Sequence, residues 1–162
     1  MTTHPHRATV RVEGAQIVIS RVFAAPAQLV YDAMTTPAHV RQWWGAGHGE
    51  MTVCEIDLRV GGRWHFAQVT PDGTEVSFSG EYLELDPPAR MVHTERFDSM
   101  PGAEPSTIVT TLTEQDGRTT LRAVCSYDSP TTAAMVIDSG MEDGLQSSYD
   151  AIDDVLARQQ TG

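Results

Sequence analysis

Residues 52–127 form an almost unbroken series of short strand-like segments joined by turns, and one long helical segment follows them. Val, Ile, Thr and aromatic residues are frequent in these segments, whereas Gly, Pro and Asp separate them. Because the connections are short, we expect each segment to pair with the next as an antiparallel strand. The predicted strands are 51–58, 63–69, 75–85, 91–97, 107–113 and 119–127.

The C-terminal segment has the spacing of an amphipathic helix. Ser129 suits the N-cap of this helix and Pro130 suits its first turn. Gly140 and Gly144 interrupt the pattern, and they indicate either a kink or a close approach to the sheet. One stripe at helical spacing contains Met135, Asp138, Met141, Leu145, Tyr149, Ile152 and Leu156.

A further strand is predicted over 10–23. Two short helices separate this strand from the series of strands that follows. Pro26 suits the first turn of the first helix, and Thr36 is the expected cap of the second, which ends at Trp43 or Trp44. The predicted fold is therefore α+β, with a curved seven-stranded antiparallel sheet wrapped around the long C-terminal helix. A single helix fills such a concave face only in part, which favours an internal cavity.

Composition and charge indicate a single domain and disfavour several classes of partner. The 162 residues are 40% hydrophobic, and we expect one domain over 9–159 after a flexible tail, 1–8. The net charge is -11, and none of the basic residues is a lysine. Because such a surface repels phosphate groups, we expect no nucleic-acid partner and no membrane partner.

Cellular location and redox state are inferred from what the sequence lacks. No apolar run approaches the ~20 residues that cross a bilayer, and the N-terminus lacks the apolar core of a signal peptide. We therefore expect a cytoplasmic protein, in which Cys54 and Cys125 are buried, reduced thiols.

Five motifs in a fixed order resemble a known family. They are residues 19–26 (ISRVFAAP), 43–45 (WWG), 55–64 (EIDLRVGGRW), 78–90 (FSGEYLELDPPAR) and 140–145 (GMEDGL). Together they resemble the bacterial homologues of the activator of the ninety-kilodalton heat-shock-protein ATPase, within the SRPBCC or START-like superfamily. The resemblance covers about 17–156, and family members often have a tryptophan where this chain has Leu145.

The resemblance implies a Bet v 1-like helix-grip fold with a hydrophobic cavity. It leaves the activity open, because the superfamily includes lipid carriers, polyketide cyclases and aromatases, plant hormone receptors, an enediyne resistance protein and co-chaperones. The smaller Leu145 side chain in this chain would enlarge the cavity at that point.

Aromatic residues and methionines form the predicted wall of the cavity, although the same residues would also suit a plain core. Of the adjacent Trp43 and Trp44, one is expected to anchor the short helix and the other to border the cavity mouth. The predicted ligand-binding residues are Trp43, Trp64, Phe66, Phe78, Tyr82, His93, Met135, Asp138, Met141, Leu145 and Tyr149.

The candidate catalytic residues are His93, Glu95 and Asp138. His93 and Glu95 share one face of a strand, and Asp138 lies on the apolar stripe of the helix. Alternatively, Asp138 forms an ion pair with Arg96 or Arg122, or faces solvent after a kink. Most of the acidic residues of the helix are expected to form a solvated face. The histidine spacing predicts no metal site, and the sequence lacks nucleotide-binding motifs, so no cofactor is expected.

These features favour a protein that binds a small hydrophobic ligand, such as a lipid, a polyketide or an aromatic metabolite, in a cavity between sheet and helix. Catalysis stays open as an alternative, in the form of a cofactor-independent enzyme of the cyclase or aromatase kind. A co-chaperone-like interaction protein ranks lower. An exposed edge strand or the region around Trp43 and Trp44 would support a homodimer.

Overall fold

The computed structural model describes residues 7–99, 102 and 104–161. It contains one antiparallel sheet with the strand order β1-β2-β8-β7-β6-β5-β4-β3, and the C-terminal helices lie on its concave face. The strands are β1 (Thr9–Glu13), β2 (Gln16–Phe23), β3 (Glu50–Ile56), β4 (Arg63–Val69), β5 (Glu75–Asp86), β6 (Arg90–Phe97), β7 (Ser106–Gln115) and β8 (Arg118–Ser126). The helices are α1 (Ala27–Thr35), α2 (Pro37–Trp43), α3 (Pro130–Asp138) and α4 (Met141–Thr161). The predicted fold class is confirmed.

The sheet has eight strands because the first predicted strand is a hairpin. Its two halves, β1 and β2, pair with each other from Thr9↔Ser20 to Glu13↔Gln16. Gly14 makes the turn between them with a φ of 62°, a conformation that glycine adopts without strain. The prediction of one strand over 10–23 missed this turn.

The C-terminal helix is divided at Ser139 and Gly140. Ser129 caps α3 as predicted, since its hydroxyl accepts a hydrogen bond from the Thr132 N–H at 3.1 Å. Gly140 has a φ of 86°, which ends α3 and allows α4 to begin in a new direction. The kink, which was one of the two alternatives predicted from the glycines, is therefore confirmed.

The centre of the core lies where β2 and β8 meet the second half of α4. Ile17 and Leu121 on the strands are fully buried, as is Ile152 on the helix. Cys54 and Cys125 are buried free thiols, as predicted. Within the described part of the chain, no helix is long and apolar enough to span a membrane.

Arg21 is buried in this core with only 1% of its surface exposed. Its Nη2 lies 2.6 Å from Asp153 Oδ2 and 3.2 Å from Asp150 Oδ1, so the side chain connects β2 to α4. The guanidinium also lies 4.8 Å from the centre of the Phe23 ring. Asp150 and Asp153 are therefore exceptions to the predicted solvated face, because a buried cation requires compensating charge.

The N-terminal segment is attached to α4 from Ala8 onwards. The Ala8 N–H donates to Gln146 Oε1 at 3.0 Å, and Gln146 Nε2 donates to the Ala8 carbonyl at 2.9 Å. Of the predicted tail 1–8, residues 1–6 lie outside the described residues.

Replacing Asp153 with Asn should destabilise the protein by roughly 2–4 kcal/mol, because the buried guanidinium loses much of its neutralising charge. Urea unfolding at neutral pH measures this difference. The matched control is Asp154→Asn, at the neighbouring, partly exposed position, which should change stability by less than about 0.5 kcal/mol. Equal effects of the two substitutions would contradict the role of the Arg21 ion pair.

Candidate functional site

The concave face is fully covered at one end and partly accessible at the other. The inner residues of β2 and β8 are buried, whereas several inner residues of β5, β6 and β7 are only half-buried. On α4 the residues that face the sheet are half-buried in the first turns and buried from Gln146 onwards. We call the half-buried inner residues the open wall; its members are Phe78, His93, Glu95, Phe97, Ile108, Met141 and Leu145.

Aromatic rings border the open wall on the side of α2; we call them the aromatic frame, and they belong to Trp44, Phe66, Phe78 and Phe97. Trp44 packs edge-on against Phe66, with ring centres 5.7 Å apart, and against Phe78 at 5.9 Å. Phe78 in turn stacks on Phe97 at 5.0 Å. Trp43 has a different role, since its indole N–H donates to the Ala33 carbonyl at 2.7 Å and anchors α2 to α1.

Of the two tryptophans, Trp44 therefore borders the open wall and Trp43 anchors the helix. A ligand-binding role of Trp43 stays a prediction. The physical reason for the difference between the two is that α2 ends at Trp43. Trp44 follows in an extended conformation, with a φ of -66° and a ψ of 125°, and packs against the sheet.

Gly80 makes room for Trp64. A Cβ atom at Gly80 would lie 2.6 Å from Trp64 Nε1 and 1.8 Å from the Thr94 carbonyl oxygen. In the space that glycine leaves, the Trp64 indole donates a hydrogen bond to that carbonyl at 3.1 Å. The ring is thereby held edge-on to His93, with ring centres 5.7 Å apart.

Glu95 is the ionisable acid of the open wall. Burial raises the pKa of its carboxyl from 4.5 to about 7. No hydrogen bond or ion pair joins this carboxyl to another group in the described part of the chain. The negative charge of Glu95 contributes to the raised pKa values of Cys125 and Tyr127, so these groups lie within electrostatic reach of it.

His93 lies two residues before Glu95 on the same face of β6. Burial lowers the pKa of its imidazole from 6.5 to about 4, so the ring is neutral at physiological pH. Its Nδ1 is buried and has no hydrogen-bond partner among the described residues. Tyr82 lies opposite on β5, with the two ring centres 6.3 Å apart.

Further polar groups lie on both sides of this pair. Burial strongly raises the pKa of Tyr149, which packs edge-on against Phe23 at 5.7 Å, and that of Tyr82. Burial also raises the pKa of the Cys125 thiol to about 12, so the thiol is uncharged.

Most of the predicted ligand-binding residues contribute to the inner side of the fold. Met135 and Asp138 do not: Met135 is 59% exposed, and Asp138 is exposed at the end of α3. Their places in the predicted ligand-binding set are wrong, because the helix break at Gly140 prevents the stripe of α4 from continuing through α3. For Asp138 the alternative prediction, a solvent-facing position after a kink, agrees with the structure. The inner predicted residues are Trp64, Phe66, Phe78, Tyr82, His93, Met141, Leu145 and Tyr149.

The polar neighbours of Glu95 could not be predicted from local sequence patterns. Cys125 lies opposite Ile108, which lies opposite His93, so the pairing of three strands brings the thiol to the open wall. Alternation along the last strand could have placed Cys125 on the inner face. The pairing register, however, is not visible in a single sequence.

The chain is similar to proteins of known fold and family. The family model described as "Activator of Hsp90 ATPase homolog 1-like protein" matches residues 24–157. A crystal structure from Rhodobacter sphaeroides is 25% identical, with a TM-score of 0.86, over 94% of this chain and 99% of that one. Protein Ms6760 from Mycobacterium smegmatis is 29% identical, with a TM-score of 0.83, over 92% and 96%.

A third similar structure has a lower TM-score. Protein CV1439 from Chromobacterium violaceum is 27% identical, with a TM-score of 0.72, over 88% of this chain and 96% of that one. No curated protein matches the chain. The similar structures therefore support the fold, and they identify no ligand.

The Glu95→Gln variant should gain stability relative to the wild type as the pH rises. Because the folded-state pKa is about 7 and the unfolded-state value 4.5, folding favours the protonated acid, and wild-type stability decreases as the pH rises from 4.5 through 7. We expect a relative gain of roughly 2 kcal/mol between about pH 5.5 and 8.5, measured by urea unfolding. Glu84→Gln, at an exposed position, should show no such gain, and a pH-independent difference for Glu95→Gln would contradict the burial of its charge.

Replacing Gly80 with Ala should cost roughly 1–3 kcal/mol, because the methyl group collides with Trp64 and with the Thr94 backbone. The indole N–H signal of Trp64 in an NMR spectrum should move as its hydrogen bond is lost. Gly144→Ala is the control, since a Cβ there meets nothing within 4 Å and should stabilise the helix by roughly 0.5–1 kcal/mol. An unmoved indole signal in Gly80→Ala would contradict this packing.

Proposed function

Because the chain belongs to the family of activator of Hsp90 ATPase homolog 1-like proteins, whose fold is shared by its structural neighbours, we propose that it binds a small, mostly apolar ligand against the open wall. The ligand would lie between the concave face of the sheet and the first turns of α4. This is the function that the distribution of buried and accessible residues supports best.

The observation that carries the proposal is the accessibility of inner, mostly apolar side chains. Phe78, Ile108 and Leu145 face the inner side of the fold, yet all three remain only half-buried. A core that is packed to its usual density leaves no such area beside its centre. The area that these side chains leave accessible is what an apolar ligand would cover.

The chemistry of the wall favours a ligand with an aromatic or otherwise planar part. Trp44, Phe78 and Phe97 present ring faces and edges, which pair well with another ring in stacked or edge-on geometry. Met141 adds a flexible side chain that can adapt to an irregular shape. Aromatic metabolites and polyketides suit this wall better than a simple alkyl chain.

Catalysis is the second candidate function, and the raised pKa of Glu95 on β6 favours it. A carboxyl with a pKa of about 7 can exchange a proton at neutral pH. The imidazole of His93, whose pKa burial lowers to about 4, stays neutral and would orient the ligand by a hydrogen bond. A cofactor-independent cyclase or aromatase would use these groups on a ligand held by the aromatic frame. Asp138 has no part in this proposal, because it is exposed.

A co-chaperone-like role ranks third. The family description names an activator of the Hsp90 ATPase, and this is the observation that keeps the role under consideration. The features of the open wall favour a small molecule instead.

Filling the open wall should weaken ligand binding. Leu145→Trp places a larger side chain at a half-buried position of α4, and we expect it to weaken binding of the neutral dye Nile red at least about tenfold. Fluorescence titration measures the binding, and thermal unfolding measures whether the variant is folded.

The matched control is Leu83→Trp, because Leu83 is an exposed leucine on β5. It introduces the same side chain away from the open wall and should leave Nile red binding unchanged. If a folded Leu145→Trp variant bound the dye as tightly as the wild type, or if the wild type did not bind it, the proposed function would be wrong.

A further inference from the structure

Among the described residues, no positively charged side chain belongs to the open wall around Glu95. The chain has no lysine, and all of its arginines lie among the described residues. Arg21 is buried but is already paired with Asp150 and Asp153. Arg90 pairs with Glu84, and the remaining arginines are exposed. His93 is neutral at physiological pH, because burial lowers its pKa to about 4.

Glu95 is therefore an acid of the open wall to which no described residue supplies a counter-charge. Its neighbours Cys125 and Tyr127 are both uncharged, because burial and the Glu95 charge itself raise their pKa values. Carboxylates that are largely removed from water are normally paired with a cation or held by several hydrogen bonds. A partner that a ligand supplies would complete this site.

We propose that the ligand carries a basic nitrogen and that its ammonium group pairs with the carboxylate of Glu95, while its apolar part lies against the aromatic frame. This inference rests on the proposed function and specifies the chemical class of the ligand as a lipophilic, preferably aromatic, amine. Bringing a cation next to Glu95 favours the ionised carboxylate, so the ion pair offsets the cost of burying each charge.

The same geometry disfavours ligands with an acidic group. A fatty acid or an aromatic carboxylate would bring a second negative charge beside Glu95, with no cation on the wall to separate them. The net charge of -11 acts in the same direction, since it attracts cations to the protein and repels anions. The protein should therefore discriminate between amine and acid even when the apolar part of the ligand is identical.

Three naphthalene compounds with different polar groups test the inference. They are 2-naphthylmethylamine, 2-naphthalenemethanol and 2-naphthoic acid, and calorimetric titration at pH 7.5 or displacement of Nile red measures their affinities. We expect the amine to bind at least about tenfold more tightly than the alcohol, and the acid more weakly than either.

The Glu95→Gln variant is the decisive comparison. It should lose the preference for the amine and retain the affinity for the alcohol within about threefold. Removing a buried charge should not prevent folding, and Glu95→Met serves the same purpose if the amide is poorly tolerated. Glu84→Gln removes an exposed carboxylate and should leave all three affinities unchanged.

The outcomes separate this inference from the proposed function. If the amine and the alcohol bind the wild type equally, or if Glu95→Gln leaves the amine preference intact, the assignment of a basic ligand is wrong, while the apolar site stands. A loss of the preference in Glu84→Gln would likewise overturn it, because the amine would then bind the acidic surface. If neither the alcohol nor Nile red binds, the proposed function itself is wrong.

Discussion

The guanidinium of Arg21 lies fully buried between β2 and α4, where Asp150 and Asp153 neutralise it. This ion pair joins the middle of α4 to one end of the concave face, where Ile152 and Leu156 complete the core. Removing either partner would leave buried charge without compensation, so the arrangement fixes the direction of the helix as well as its distance from the sheet. This attachment holds the second half of α4 over β2 and β8.

The open wall lies at the end of the concave face that this attached half of α4 does not cover. With the second half of α4 held over β2 and β8, and with α3 separated from it at Gly140, the inner residues of β5, β6 and β7 are only half-covered. Gly80 and Trp64 hold His93 in place, and Glu95 lies next on the same strand face. Stability at one end of the sheet and accessibility at the other therefore have the same structural origin.

Local sequence patterns predicted most of the fold, and long-range pairing accounts for what they missed. The alternation along β4 to β8 and the cap at Ser129 gave those elements nearly at their observed bounds. The hairpin turn at Gly14 was hidden, because β-branched residues flank it on both sides. Which tryptophan packs against the sheet and which thiol lies near Glu95 depend on where an element ends and on strand register, and neither is encoded by local spacing.

The central claim is that apolar space remains between the sheet and the first turns of α4. A crystal structure determined under xenon pressure tests it directly, because xenon enters apolar cavities without requiring a specific ligand. We predict xenon within contact distance of Phe78, Ile108 and Leu145. A structure in which xenon is absent there, and in which side chains fill this space to the density of the core, would contradict the account.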